Sequence, residues 1–334
     1  MNPPIYTPVA CRYENGMHYR RCGNSGIQLP VLSLGFWHNF GRTYPLANSL
    51  EIAHYAFDHG ICHFDLANNY GPPYGAAEET LGHILRQSLL PYRDELFIAS
   101  KAGYDMWPGP YGNWGSRKYL MTSLHQSLKR MQLEYLDLFY SHRYDPHTPL
   151  EETLQALVDM VRQGKVLYVG ISRWPKEAAT IAYRYLAAHD VPCLIYQGRY
   201  NLLDRCVEEE GIVRQAHENG AGFIAFSPLA QGLLTNRYLN GIPHDSRIAH
   251  GGHLKQEALT PHLLQQITQL HHLAQRRGQS LAERSLSWVL SRPGVTRVIS
   301  GASAVEQLKN NIKATDAPPF CEEEVQAIEQ ILQI

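Results

Sequence analysis

Short apolar runs alternate with longer amphipathic stretches along most of this chain. Eight of the runs end in a polar residue or a glycine, at positions 35, 65, 101, 142, 172, 197, 227 and 301. Continuously apolar runs are typical of parallel strands that are covered on both faces. Every run but the seventh is followed directly by a segment with helical spacing of apolar positions. Most run ends are about 30 residues apart, the length of one βαβ unit.

The same pattern predicts the individual elements. The predicted strands are 31–34, 64–67, 96–99, 136–140, 166–171, 194–196, 223–226 and 298–299. The predicted helices are 49–59, 76–87, 117–131, 149–163, 175–189, 207–219, 261–277, 281–291, 305–314 and 322–332. Residues 17–21 and 27–30 flank Cys-Gly-Asn-Ser-Gly, which predicts a hairpin turn. We expect residues 1–16 to form a loose tail and residues 17–334 to form one domain.

Eight βα units favour an α/β fold of the closed (β/α)8 class, the TIM barrel. An open doubly wound sheet is the alternative, but no GxGxxG motif follows the first predicted strand. The one long gap, residues 228–297, begins with a stretch rich in Gly, His and polar residues and continues into two predicted helices. The prediction is therefore a TIM barrel with an N-terminal β-hairpin and extra helices near the C-terminus.

Composition narrows the class of protein further. The 334 residues are 44% hydrophobic, and 30 Lys and Arg against 31 Asp and Glu give a net charge of -1. This balance predicts neither a nucleic-acid groove nor a membrane-binding surface. No apolar run approaches the ~20 residues of a membrane helix, and the N-terminal residues do not resemble a signal peptide. The six cysteines include no CxxC pair, so we expect reduced thiols and a cytoplasmic location.

Residues far apart in sequence should meet at one face of the predicted barrel. All strands of such a barrel point their carboxyl ends to the same face, where active sites lie. The residues at or just after these ends, which should ring one cavity, are Trp37, Asp65, Lys101, His142, Ser172, Gln197, Ser227 and Ser303. Tyr70 follows the second strand by a few residues and should join them.

Four of these residues could support proton transfer. A Tyr with a pKa of ~10 is a poor acid at neutral pH. A lysine ammonium ~4 Å from the phenol oxygen would stabilise the ionised phenol by ~4 kcal/mol at an effective dielectric constant of ~20. Lys101 should therefore lower the pKa of Tyr70, although desolvation of the ionised phenol opposes this shift. Asp65 would keep Lys101 charged, and His142 could orient a carbonyl oxygen. Taken singly, each residue also has a structural interpretation, as a turn cap, a surface side chain, an ion-pair partner or a loop contact.

Longer motifs carry a family resemblance. They are FDLANNYG (64–71), ASKAG (99–103), LDLFYSHR (136–143), YVGIS (168–172), YQGRYNLL (196–203), AFSPLAQGLL (225–234) and GAS with EQL (301–308). Through them the chain resembles the aldo-keto reductase superfamily over nearly its whole length, in the branch of potassium-channel β-subunits and bacterial L-glyceraldehyde 3-phosphate reductases. The resemblance implies a catalytic tetrad of Asp65, Tyr70, Lys101 and His142, with Tyr70 as proton donor. Channel β-subunits are expected to have Asn at the position of His142, which favours the enzymatic group.

The resemblance also implies the cofactor NADP(H), lying extended across the barrel mouth. Ser172 and Gln197 would hold its nicotinamide amide, Phe226 would stack on the ring, and Arg237 would contact a phosphate. Relatives often have Glu at the position of Asn310, so the preference for NADPH over NADH stays open. The full set of implied cofactor residues is Trp37, Asp65, Ser172, Gln197, Phe226, Ser227, Leu229, Gly232, Arg237, Arg247, Ser303, Gln307 and Asn311.

The predicted function is NADPH-dependent reduction of small aldehydes such as L-glyceraldehyde 3-phosphate or methylglyoxal, a form of aldehyde detoxification. The residues expected to line the substrate pocket are Trp37, Tyr70, Trp107 and His142. The aromatic segment 103–115 is either a pocket wall or a subunit contact, and the branch tends toward homo-oligomers of four or more chains. A cofactor-sensing regulatory subunit is the alternative. We expect no metal, because no HExxH or HxH motif occurs at a strand end.

Overall fold

Eight parallel strands close into a barrel in the computed structural model, which describes residues 6–244, 246, 248–249 and 254–333. The hairpin strands are β1 (Tyr19–Arg21) and β2 (Gln28–Pro30), and the barrel strands are β3 (Leu32–Gly35), β4 (His63–Asp65), β5 (Phe97–Ala102), β6 (Leu136–Ser141), β7 (Val166–Ser172), β8 (Cys193–Arg199), β9 (Gly222–Phe226) and β10 (Val295–Ser300). Each barrel strand pairs with the next along the chain, and β10 pairs with β3. The predicted (β/α)8 barrel with its N-terminal hairpin is confirmed.

Helices surround the barrel. In the described part of the chain they are α1 (Leu46–Asp58), α2 (Ala76–Ile84), α3 (Arg117–Met131), α4 (Leu150–Arg162), α5 (Lys176–Ala188), α6 (Cys206–Glu209), α7 (Ile212–Glu218), α8 (Pro261–Gln275), α9 (Leu281–Ser291), α10 (Val305–Ile312) and α11 (Glu322–Leu332). A π-helical turn (Leu85–Leu89) and a 3-10 turn (Leu90–Glu95) extend α2. No helix among these residues is both long and apolar enough to cross a membrane.

Local capping explains why some predicted bounds agree with the structure. The side chain of Ser116 accepts a hydrogen bond from the backbone N–H of Tyr119, which begins α3 at the predicted residue. At the other end Gln132 adopts a left-handed conformation and ends the helix. Ser280 and Glu283 form a capping box that begins α9.

Two predicted elements differ from the structure. The single helix predicted over 207–219 is wrong, because Gly211 has φ of 73° and separates α6 from α7. A left-handed residue cannot continue an α-helix, and glycine adopts that conformation without steric cost. The last strand is longer than the predicted 298–299, since the polar residues Thr296 and Arg297 belong to β10.

The tail that we expected to be loose packs on the barrel where it is described. Tyr6 stacks on His54 with ring centroids 3.8 Å apart, and its hydroxyl donates to the carboxylate of Asp58 at 2.9 Å. Further along, Arg12 forms an ion pair with Glu95. This segment is therefore bound to α1 and to the turn after α2.

The barrel is closed at one end and open at the other. Side chains of β5, β6, β8, β9 and β10 fill its interior, and the hairpin adds Cys22 and Leu29 beneath them. The residues of this interior cluster are Phe97, Ala99, Leu138, Tyr140, Leu194, Ile195, Ile224 and Ile299. The hairpin forms the floor at the amino ends of the strands, so the carboxyl ends are the accessible face.

Candidate active site

A cavity of about 840 Å³ lies at the carboxyl ends of the strands. The predicted site residues that line it are Trp37, Asp65, Tyr70, His142, Gln197, Phe226, Ser227, Leu229, Gly232, Arg237, Ser303, Gln307 and Asn311. The barrel brings them together although they span most of the sequence, as the strand-end argument predicts. Lys101 and Ser172 are buried next to this cavity without lining it.

Lys101 is the centre of a buried hydrogen-bond network. Its side chain is fully buried, and Nζ donates to the Asp65 carboxylate at 2.5 Å and to the Leu66 carbonyl at 2.6 Å. A third acceptor, the Tyr70 hydroxyl, lies 3.5 Å from Nζ. Three acceptors match the three protons of an ammonium group, so the geometry is that of a charged lysine.

Asp65 is held from two sides. One carboxylate oxygen accepts from Lys101, and the other accepts from the Gln197 side-chain amide at 2.9 Å. Burial raises the pKa of Asp65, while Lys101 and Gln197 oppose that shift. Burial also lowers the pKa of Lys101, and Asp65 opposes it. Each partner therefore supplies the counter-charge that the other needs away from water.

Tyr70 accepts a hydrogen bond from Lys101, which leaves its own hydroxyl hydrogen available to the cavity that the ring lines. Burial raises the pKa of Tyr70 well above its usual value, and the negative charge of Asp65 raises it further. Our prediction that Lys101 would bring this pKa toward neutral is therefore wrong, because desolvation of the phenolate outweighs the nearby cation. The phenol stays protonated at neutral pH, as a proton donor must.

His142 lies beside this phenol. Its ring packs edge-on against Tyr70 at 5.8 Å between centroids and against Tyr104 at 4.7 Å. Burial and then the positive charge of Lys101 lower its pKa well below the usual value, so the imidazole is neutral. The neighbouring Gly103 has no room for a side chain, since a Cβ there would lie 3.0 Å from the Cβ of His142. A neutral imidazole in this position can hydrogen-bond an oxygen in the cavity.

The far end of the cavity is formed by polar side chains of α10 and of the residues just before it. The backbone N–H and hydroxyl of Ser303 both donate to the Gln307 side-chain oxygen, at 2.9 and 3.1 Å. The Asn311 amide donates to Ser300 Oγ at 2.9 Å, and Asn310 also faces the cavity. The cavity thus runs from the Lys101 network to a polar end on another element.

The aldo/keto reductase family model matches residues 31–333. The chain belongs to this family. The L-glyceraldehyde 3-phosphate reductases of Escherichia coli O157:H7 and strain K12 are 54% and 53% identical to it over 319 residues, covering 94% of this chain and 92% of each relative. A probable voltage-gated potassium channel subunit beta of Arabidopsis thaliana is 34% identical over 324 residues, covering 95% of this chain and 97% of that protein.

Members of the aldo/keto reductase family generally use nicotinamide cofactors, and the residues here fit such a group. Ser172 Oγ is buried and has no hydrogen-bond partner, although buried hydroxyls normally have one. Strand register places Ser172 beside Gln197, and Phe226 presents a partly exposed ring at the end of β9. An unpartnered hydroxyl next to an amide suits the carboxamide of nicotinamide, and the aromatic ring suits its flat face. Arg247, another predicted contact, lies outside the described residues.

One predicted substrate residue lies elsewhere. Trp107 does not line the cavity, because its indole packs on Tyr119 at 5.2 Å between ring centroids. Tyr104, from the same aromatic segment, lines the cavity instead. Arg143 lies over the rings of Tyr104 and Trp114, at 4.4 and 3.7 Å, and so holds this segment against the barrel. The pocket-wall interpretation of segment 103–115 thus fits its first residues.

Several cavity residues were missed by sequence reasoning. They are Asn39, Asn69, Tyr74, Arg173 and Arg199. All lie in or beside loops that follow the barrel strands, and Arg173 directly follows the predicted Ser172. A position just after a barrel strand therefore predicts a cavity residue. The cavity lining also includes residues further into each loop than the strand-end residue.

Proposed function

We propose that this protein is an NADPH-dependent reductase of small polar aldehydes, with L-glyceraldehyde 3-phosphate or methylglyoxal as candidate substrates. The observation that carries the proposal is the Lys101 ammonium donating to the Tyr70 hydroxyl at the edge of a large cavity, with His142 beside it. The names of the two Escherichia coli relatives support the choice of substrate.

Ser172, Gln197 and Phe226 would hold the nicotinamide group, which would supply the hydride for the carbonyl carbon of the substrate. Tyr70 gives its proton to the carbonyl oxygen as negative charge develops there. His142 hydrogen-bonds the same oxygen and orients it toward Tyr70. A group that stabilises charge only as it develops lowers the barrier without lowering the energy of the bound substrate.

Lys101 and Asp65 act through Tyr70. Once the phenol has lost its proton, its oxygen carries a negative charge, and the Lys101 ammonium at 3.5 Å already points a donor at it. Asp65 keeps that ammonium charged in a fully buried position. The pair thus makes the phenol a better acid than a buried phenol without a nearby cation would be.

Replacing Tyr70 with Phe tests the proposal. General acid catalysis contributes roughly 100- to 10,000-fold, so Tyr70→Phe should lower kcat by at least about 100-fold. Binding of NADPH, followed by fluorescence quenching, should persist because the ring remains. Tyr74→Phe is the matched control, since this tyrosine also lines the cavity but is 58% exposed and contacts no lysine in the described part of the chain. Turnover by Tyr70→Phe at the wild-type rate would refute the assignment.

A cofactor-sensing regulatory subunit is the second candidate, favoured by the 34% identity to a probable potassium channel subunit beta. It predicts tight retention of NADP(H) and negligible turnover on a panel of aldehydes. The enzymatic proposal predicts fast turnover on at least one of them, with NADPH preferred to NADH. Assays with both cofactors in parallel therefore decide between the two.

We further propose a cytoplasmic homo-oligomer of four or more chains. Light scattering on the purified protein measures the assembly directly, and a monomer would contradict it.

A further inference from the structure

Arg173 is a cationic residue of the cavity that the proposed hydride and proton transfers do not use. It directly follows Ser172, the last residue of β7, and its exposed side chain lines the cavity. Its backbone N–H donates to the carbonyl of Gln197 at 3.2 Å, and the side-chain amide of Gln197 in turn donates to Asp65. The backbone of Arg173 is therefore anchored beside the Lys101 network.

This backbone has an unusual conformation. The φ angle of Arg173 is 55°, in the left-handed region that residues other than glycine rarely adopt. Such a conformation costs free energy, persists only where the surrounding structure holds it, and is found most often at sites that bind a ligand. Glycine, asparagine or aspartate would adopt it more easily than arginine does. An arginine kept in this conformation therefore points to a function of its side chain.

The guanidinium of Arg173 has no counter-charge in the described part of the chain. Its one side-chain hydrogen bond there goes from Nη1 to the Tyr104 hydroxyl at 3.0 Å, and it forms no ion pair with a described acid. By contrast Arg199, which lines the same cavity from the end of β8, pairs with Asp204 at 3.1 Å. A guanidinium has five N–H donors, so most of those of Arg173 are available to an anion in the cavity.

Arg173 lies in the same part of the cavity as the proposed proton donor. Tyr104, whose hydroxyl it contacts, packs edge-on against His142 at 4.7 Å between ring centroids, and His142 packs against Tyr70 at 5.8 Å. Burial dominates the pKa of His142 and of Tyr70, lowering the first and raising the second, and the positive charge of Arg173 acts to lower both. An aldehyde with its carbonyl oxygen at Tyr70 and His142 would therefore extend toward Arg173.

The anion that suits this position belongs to the substrate rather than to the cofactor. The cofactor group expected at Ser172 and Gln197 is an uncharged amide, and Arg237, proposed to contact the cofactor's phosphate, lies in the loop after β9. A phosphate monoester has a charge of about −1.5 to −2 at pH 7 and three strong acceptor oxygens. The planar guanidinium can donate to two of these oxygens at once. In a phosphorylated three-carbon aldehyde, the short chain keeps this group near the carbonyl.

We propose that Arg173 binds the phosphate group of a phosphorylated aldehyde and that Tyr104 holds its guanidinium in place. This inference rests on the proposed reductase function and deepens it, because it chooses between the two candidate substrates. L-Glyceraldehyde 3-phosphate has the phosphate that Arg173 would contact, whereas methylglyoxal has no charge. The enzyme should therefore reduce the phosphorylated aldehyde with the higher kcat/KM.

The ratio of kcat/KM for L-glyceraldehyde 3-phosphate to that for L-glyceraldehyde tests the proposal, because these aldehydes differ only in the phosphate. Arg173→Met should lower this ratio by roughly 10- to 150-fold, the effect of losing a hydrogen bond to a charged group. Arg173→Lys keeps the charge but not the planar fork, so it should lose less. Arg199→Met, at the cavity arginine that is already paired, should leave the ratio unchanged.

The same assays separate failure of this inference from failure of the proposed function. Equal losses on both aldehydes in Arg173→Met, with weaker NADPH binding in a fluorescence titration, would assign Arg173 to the cofactor and overturn the inference. Equal kcat/KM of the wild-type enzyme for the two aldehydes would also overturn it, while the reductase function would stand. A wild-type protein that reduces no aldehyde would overturn the proposed function itself.

An inhibition experiment needs no variant. Glycerol 3-phosphate has the phosphate but no reducible carbonyl, and it should inhibit wild-type reduction of L-glyceraldehyde in competition with the aldehyde. Glycerol at the same concentration should not inhibit. Absence of inhibition by glycerol 3-phosphate, or inhibition in competition with NADPH instead of the aldehyde, would overturn the proposal even if the Arg173 variants failed to fold.

Discussion

Removing both charges of the Lys101–Asp65 ion pair should destabilise the protein by less than the sum of the two single replacements. Lys101→Met leaves Asp65 as a carboxylate that is 2% exposed, with Gln197 as its remaining hydrogen-bond partner. Asp65→Asn leaves a buried ammonium with the Leu66 carbonyl and the Tyr70 hydroxyl as acceptors. Each single variant therefore contains one buried charge without a counter-charge.

The expected free energies follow from that imbalance. Breaking a buried ion pair by removing one partner costs about 3–5 kcal/mol, and so each single variant should lose about that much stability. The double variant Lys101→Met/Asp65→Asn contains neither charge. Its loss of stability should fall short of the sum of the two single losses by a coupling energy of about 2–3 kcal/mol. The attraction across 2.5 Å between two buried side chains is the origin of this coupling.

Chemical denaturation at pH 7, followed by tryptophan fluorescence, measures the four members of this double-mutant cycle. The exposed pair Arg214 and Glu218 on α7, 3.7 Å apart, is the control and should show no measurable coupling. Additivity of the Lys101 and Asp65 variants within about 0.5 kcal/mol would mean that the pair is not charged, and it would refute this account of the site.

Three further predictions concern the cavity. The single-turnover rate of aldehyde reduction should stay constant from pH 6 to about pH 9. The reason is that the pKa of Tyr70 is raised well above 10 and that of His142 is lowered well below 6.5. A loss of rate with an apparent pKa between 7 and 9 would contradict this prediction. Ser172→Ala should weaken cofactor binding about 2- to 10-fold in a fluorescence titration. It should not lower the free energy of unfolding, because the deleted hydroxyl has no partner among the described residues. A loss of stability would assign the hydroxyl a structural role. Tyr104→Ala should raise the KM for the aldehyde more than Trp107→Ala does, as steady-state kinetics would show, because only the tyrosine lines the cavity; the reverse order would return Trp107 to the pocket.

The residues that form the site could be predicted because the barrel fold determines which residues meet. Asp65, Lys101 and Gln197 lie on three different strands, and any chain that closes these strands in parallel must bring their carboxyl ends together. Local signals also set the bounds of α3, since a serine N-cap and a left-handed Gln132 are short-range features of the sequence. Predictions of this kind depend on topology and on a few neighbouring residues.

Other features depend on packing that a sequence does not display. The segment 103–115 offers several aromatic side chains, and Tyr104 faces the cavity whereas Trp107 packs on Tyr119. Arg143 decides the arrangement by lying over Tyr104, and it is about 40 residues away in sequence. Similarly, the sequence did not predict the first half of β10, because Arg297 lies inside it. A charged residue inside a barrel strand breaks the apolar pattern that identifies such strands.

The pKa of Tyr70 shows most directly where reasoning from charges alone fails. The distance from Lys101 to the phenol was anticipated, but the ammonium lies 3.5 Å from that oxygen and 2.5 Å from the Asp65 carboxylate. Its field is therefore largely compensated at rest, and burial of the phenol decides the direction of the shift. The pKa of Tyr70 already includes how strongly Lys101 stabilises the ionised phenol, and Asp65 cancels much of that stabilisation. Lys101 should consequently make Tyr70 a stronger acid than a buried phenol without a cation, although the pKa of Tyr70 stays above its usual value.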